Sequence, residues 1–121
     1  MIDNIFGLSD SIRYVAVYRN GQLRSKSKLG KLGASSSESD RYEELLVNPT
    51  LLKLASQRGN IDCGGLDYLL VRYGSFFQFV LPADWGHVSV CIEADAEPLT
   101  IGELINLQCE RECEARTSRI Y

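Results

Sequence analysis

The tetrapeptide Asp62-Cys63-Gly64-Gly65 is the most unusual in this 121-residue chain. A thiol ahead of two glycines can act as a nucleophile, with neighbouring backbone N–H groups to hold an oxyanion. It needs a base to give it thiolate character. His87, the only histidine, is the one candidate; no third, orienting group is marked, though Asp62 or Glu93 could be pressed into that role. Nothing in the sequence brings His87 to Cys63. The segment therefore reads more simply as a glycine turn entering a strand beside a small, half-buried thiol, and His87 as a hydrogen-bonded turn residue after Gly86. Cys109 and Cys113 stand at i, i+4 on one helix face with Ile105, and with Cys63 or His87 they could complete a four-ligand zinc site. No CxxC spacing supports such a site, and packed thiols fit the pattern better. A disulfide between them within a continuous helix is disfavoured by geometry. Glu43 and Glu44 are adjacent, so a helix turns them to different sides; they read as first-turn charges favoured by the helix dipole. Gly30 and Gly33 lack the Lys-Ser/Thr and the preceding buried strand of a phosphate loop. The expectation is no metal, no cofactor and no catalysis.

Two features suit recognition instead. Arg24, Lys26 and Lys28 form a cationic row on one strand face, able to meet an acidic or phosphorylated partner. The same row protects an edge strand from aggregation, and that is the preferred reading. Trp85, in a loop between Asp84 and Gly86, is a candidate interface anchor, set against the simpler expectation that it folds back over the sheet.

The elements that must position these residues follow from hydrophobic periodicity. A short helical segment within residues 1–10 carries Ile2, Ile5, Phe6 and Leu8. Ile12 to Tyr18 alternates as a strand, Asn20-Gly21 supplies a tight hairpin turn, and Gln22 to Lys28 alternates again. Residues 29–37, with two glycines and three serines, read as a loop. A helix starts near Asp40, with Glu43 in capping-box spacing and Tyr42, Leu45 and Leu46 on its buried face. Pro49 predicts a break, with Asn48 capping a second segment that carries Leu51, Leu52, Leu54 and Ala55 and ends at Gly59. Leu66 to Tyr73, Phe76 to Leu81 and His87 to Ile92 read as strands, joined by Gly74-Ser75 and by the loop Pro82 to Gly86. Thr100 caps a last helix whose inner face is marked by Ile101, Leu104, Ile105, Cys109 and Cys113. Hairpin-joined strands without strand–helix–strand alternation predict an α+β domain: one five-stranded antiparallel sheet flanked by helices, in the order ββαβββα.

Composition agrees with a single domain over 1–121: hydrophobic residues make up 45% and charged residues 24%. The net charge of -3 divides unevenly. Residues 1–60 hold nine Lys or Arg against six acids, and residues 61–121 hold four against ten. A pI near 5.1 argues against nucleic-acid binding. No apolar run approaches the roughly 18 residues of a membrane span, and the opening Met1-Ile2-Asp3-Asn4 lacks a signal peptide's basic region. The expected location is cytoplasmic, with free thiols.

The segment Ile12-Arg13-Tyr14-Val15-Ala16-Val17-Tyr18-Arg19-Asn20-Gly21, with the ββαβββα order after it, resembles the Roadblock family (dynein light chain Roadblock-type domains, profilin-like fold). The resemblance implies a non-enzymatic, homodimeric platform for small GTPases or motor complexes. It places the pairing edge at Leu66 to Tyr73, with the helical segment Thr50 to Arg58 beside it. The implied interface residues are Leu51, Leu54, Asp67, Leu69, Val71 and Tyr73, and the implied partner surface is Arg24, Lys26, Lys28 and Trp85.

Three functions follow in order of preference. The first is a homodimeric, non-catalytic interaction module, with a small GTPase or similar switch protein as partner. The second is a small-ligand sensor with a pocket lined by Tyr42, Phe77, Phe79 and Trp85. The third is a thiol enzyme using Cys63 and His87.

Overall fold

The computed structural model describes residues 1–28 and 37–112. Five antiparallel strands form one sheet: β1 (Ile12–Arg19), β2 (Gln22–Ser27), β3 (Leu69–Arg72), β4 (Phe76–Ala83) and β5 (Gly86–Glu93), in the spatial order β2-β1-β5-β4-β3. Helices α1 (Ile2–Phe6) and α4 (Pro98–Glu112) lie on one face. The other face carries α2 (Ser37–Tyr42), a π-helical turn (Glu43–Val47) and α3 (Asn48–Asp62). The expected α+β class, strand count and element order are all observed. The loop expected over 29–37 lies outside the described residues except Ser37, which opens α2, and so does Cys113.

Alternation along the strands separates two unlike faces. Val15, Val17, Phe79, Leu81, Val88, Val90 and Ile92 join Ile5, Ile101, Ile105 and Cys109 in the main apolar core beneath α1 and α4. The opposite face presents Gln78, His87, Ser89 and Cys91, all buried, alongside Tyr14 and Ala16. One side of the sheet is oily and the other polar.

That polarity corrects the expected helix face. Tyr42, Leu45 and Leu46 point outward, while Glu44 and Asn48 are fully buried. Over a polar sheet face the helix turns polar side chains inward, because a buried donor or acceptor needs a partner. Nor does Pro49 break the helix. Residues 37–62 are continuously helical, and Tyr42, Val47 and Asn48 all keep right-handed helical dihedrals. Proline has no N–H to give, and the turn before it widens: the Asn48 N–H bonds to Glu43 O, five residues back. Asn48 is therefore a buried helix residue, not a cap.

Other boundaries shift for identifiable reasons. Gly59 does not end α3, which runs on to Asp62; its carbonyl accepts the N–H groups of Cys63 and Gly65. A Cβ at Gly59 would stand 3.2 Å from the Gly65 carbonyl carbon, so this glycine permits close approach. β3 is four residues long, since Gly64 and Gly65 at positive φ redirect the chain first. Pro82 and Ala83 belong to β4, and Gly86 to β5. Gly86 has φ 148°, and a Cβ there would lie 1.9 Å from Tyr18 O. Helix α4 starts at Pro98, placing Thr100 inside its first turn, and Leu104 is exposed. Ile101, Ile105 and Cys109 are buried as expected.

At Gly102, α4 rests directly on the Phe79 ring: a Cβ would come within 2.6 Å of Phe79 Cε2. Gly102→Ala should lower stability by about 1–3 kcal/mol through overpacking, despite alanine's intrinsic helix advantage of about 1 kcal/mol. Urea unfolding measures this, and an unchanged midpoint would mean that the ring yields freely.

Candidate functional site

The polar seam between the central helix and the sheet is the most specific assembly in the molecule. Glu44 is 0% exposed and His87 1%, and Glu44 Oε1 lies 2.8 Å from His87 Nε2. With Glu44 ionised, Nε2 carries the hydrogen and donates it. Asn48 Nδ2 donates to the same carboxylate oxygen at 3.0 Å and reaches Ser89 Oγ at 3.4 Å. Gln78 Nε2 also donates to Ser89 Oγ, and the Cys91 thiol donates to Gln78 Oε1 at 3.1 Å. Burial pushes the Cys91 thiol well above its ordinary range, and the Glu44 charge adds to this. Asp40 and Glu43 follow on the same helix. Burial raises both carboxyls, opposed at Glu43 by the hydrogen bond from Tyr73 Oη at 3.1 Å. Tyr73 in turn is pushed up to about 12 by burial and then by Glu43.

His87 is thus a buried strand residue, not a turn residue, and its partner Glu44 is not an exposed first-turn charge. Spacing within the helix could not reveal the pair, because the contact spans 43 positions. The only sequence signal was a lone histidine on a strand face shared with Ser89 and Cys91.

The thiol site is not assembled. Cys63 is exposed at the C-terminal end of α3, where its Sγ lies 3.3 Å from Asp62 Oδ1. Glu44, which holds His87, sits nineteen positions earlier in the same helix, about 28 Å along its axis at 1.5 Å per residue. The zinc set is not assembled either. Cys109 lies in the core under α4 while His87 lies on the opposite sheet face, and the described residues contain no group of three metal-ligating side chains.

The expected ligand pocket also separates: Tyr42 is exposed, whereas Phe77 and Phe79 face α1 and α4. Trp85 is half-buried against the core with Arg19 4.8 Å over its ring, so it folds back and is not an exposed loop anchor. Of the cationic row, Arg24 and Lys26 are exposed on edge strand β2. Lys26 pairs with Asp3 at 3.0 Å, and Lys28 is half-buried, donating to Asp10 O.

The positions implied for an interface gather around α3 and β3. Leu51, Leu54 and Ile61 are exposed at 36%, 60% and 75%. With Arg58 they follow i, i+3, i+7, i+10, one stripe of a helix. Asp67 is exposed; Leu69, Val71 and Tyr73 are half-buried. Leu69 and Val71 pair with Val80 and Gln78 and so share the sheet face under the helix. Among the described residues β3 pairs only with β4, and its outer edge has no strand neighbour. Among the described residues no helix is long and apolar enough to cross a membrane.

Two outcomes test this geometry. Glu44→Ala should cost about 3 kcal/mol, since it strands His87 and Asn48 without their shared acceptor. Glu44→Leu combined with His87→Leu should cost less than the sum of the single changes; additive unfolding energies would show that the two do not act as a pair. Native-state alkylation at neutral pH, mapped by peptide mass spectrometry, should label Cys63 about 100-fold faster than Cys91 or Cys109, which react only on opening. Equal rates for the three would contradict their burial.

No family model matches the chain, and no curated protein sequence matches it. Among solved structures it is similar to MglC from Myxococcus xanthus, with 96% of this chain and 93% of that one covered, a TM-score of 0.59 and 9% identity. MglC is a Roadblock-family protein. At that identity the likeness is one of fold, and the fold of this chain is Roadblock-like.

Proposed function

We propose that this chain is a non-catalytic regulatory module that works as a homodimer, joined along α3 and β3, and that the dimer is a platform for a small GTPase or similar switch protein. One observation carries the reading: the central helix turns Leu51, Leu54 and Ile61 outward beside a sheet edge that has no strand neighbour among the described residues. Exposed apolar side chains at helical spacing next to an open edge are costly in water and prone to uncontrolled pairing. A second copy related by a two-fold axis covers both at once, stripe against stripe and edge beside edge.

The two ends of the helix support this placement. Glu43 at its π turn is tied to Tyr73 just past β3, and Gly59 near its end touches Gly65 just before β3. The apolar stripe therefore runs between two anchors to the edge strand. The Roadblock-like fold and the resemblance of the first hairpin support a switch protein as partner, and the mechanism is preferential binding to one of its nucleotide states. A thiol enzyme finds no support in the separation of Cys63 from His87.

Light scattering on a sizing column under reducing conditions should give about twice the chain mass of 13.5 kDa, held at low micromolar concentration. Leu54→Asp should yield a folded monomer with an unfolding midpoint unchanged within about 0.5 kcal/mol, because the side chain is exposed within the protomer. Leu54 is the better probe than half-buried Leu69, whose loss also disturbs packing under the helix. A wild-type monomer at these concentrations would end the dimer reading. Equal retention of GDP-loaded and GTP-analogue-loaded small GTPases on the immobilised chain would count against the switch-protein partner.

A further inference from the structure

A cleft of about 690 Å³ opens between α3 and the β4–β5 turn, on the flank of the helix that faces β1. Its volume falls in the range of small-molecule sites, roughly 300–1,000 Å³. Pro49, Leu52 and Ala83 give it an apolar wall, and the rings of Tyr18, Trp85 and His87 line it from the sheet side. Tyr18 and His87 are themselves packed, with centroids 5.6 Å apart, and Arg19 lies over the Trp85 ring, so the aromatic walls are held in place.

Two polar groups at the cleft stand out. Ser56 is 1% exposed, and its Oγ has no hydrogen-bond partner; the indole Nε1 of Trp85 is likewise buried and unpartnered. A buried donor left unpaired costs free energy; Tyr14 Oη, Glu44 Oε2 and Asn48 Oδ1 are also buried without a partner, outside the lining of this cleft. They belong to different elements, α3 and the β4–β5 turn, and both residues line the cleft. Indole N–H can only donate, and a serine hydroxyl donates or accepts. Both sites are satisfied by a ligand edge rich in acceptors. The charged residues in the lining are Lys53 and Asp84, one of each sign, and Arg19 lies outside it over the Trp85 ring. The lining is neutral overall, which favours neither a phosphate nor an ammonium.

We propose that this cleft binds a small, flat, uncharged heteroaromatic molecule, its acceptor edge against Ser56 Oγ and Trp85 Nε1 and its ring body against Leu52 and the aromatic wall. The site is independent of the dimer reading. Lys53, Ser56 and Gln57, at i, i+3, i+4, face the cleft, whereas Leu51, Leu54 and Ile61 form a separate stripe.

The chain's single tryptophan makes the test direct, because the one indole N–H resonance reports on the cleft. Adenosine and nicotinamide, titrated into the ¹⁵N-labelled full chain, should move the Trp85 Nε1–H signal downfield and saturate below about 1 mM for at least one of them. AMP should bind no more than about twofold tighter than adenosine, since the lining holds no net charge. Ser56→Val should weaken the bound probe about tenfold and leave thermal stability equal or higher, since it removes an unpaired hydroxyl. If that variant fails to fold, Trp85→Phe, followed through the Gly86 amide, replaces it and should show a similar loss. No saturable movement up to about 10 mM with either probe overturns the proposal. So does undiminished binding in a folded variant, and AMP binding far more tightly than adenosine would make this an anion site instead.

Discussion

A single buried contact, the Glu44 carboxylate against the His87 imidazole, sets the placement of the central helix. An ionisable pair with no exposure is tolerable only if each member meets the other with good geometry. That requirement fixes the rotation of the helix about its axis. With Glu44 and Asn48 turned to the sheet, Tyr42, Leu45 and Leu46 have nowhere to go but outward. Ser89 and Gln78 then extend the network across two strands, so helix position and strand register are specified by the same hydrogen bonds.

The π turn belongs to the same constraint. Proline at position 49 withholds one donor, and the wider turn before it absorbs the loss without bending the chain out of the helix. Glu44 and Asn48, at i, i+4, share one helix face and both reach the seam. Gly59 then brings the far end of the helix down onto Gly65. The helix is pinned at its start by a carboxylate, at its end by glycine contact, and between them by polar side chains. Its flanks are left with the cleft on one side and the apolar stripe on the other.

Much of this architecture was legible from residue patterns. Alternation in Ile12–Tyr18 and the Asn20-Gly21 turn identify the first hairpin, and β-branched and aromatic runs identify β4 and β5, because strand signals are local. Ile101, Ile105 and Cys109 were readable as the inner face of α4, which rests on an apolar sheet face. The central helix was not, since periodicity alone assumes that apolar residues point inward. Here the sheet beneath is polar, a fact distributed over Gln78, His87, Ser89 and Cys91, and visible only once β4 and β5 are side by side. Trp85 follows the simpler of its two expectations and folds back, with Arg19 over its ring. The cleft combines Ser56 with Trp85, residues with no shared motif, so no spacing announces it.

The two edges of the sheet are unlike. β2 ends the sheet on one side with Arg24 and Lys26 displayed, while β3 ends it on the other with a short, uncharged run of Leu69, Leu70 and Val71 before Arg72. Charged edges repel further strands and uncharged ones accept them. On the proposed dimer the sheet would pair at one edge only. A copy added at β3 would leave charged β2 edges at both outer ends, and growth would terminate there.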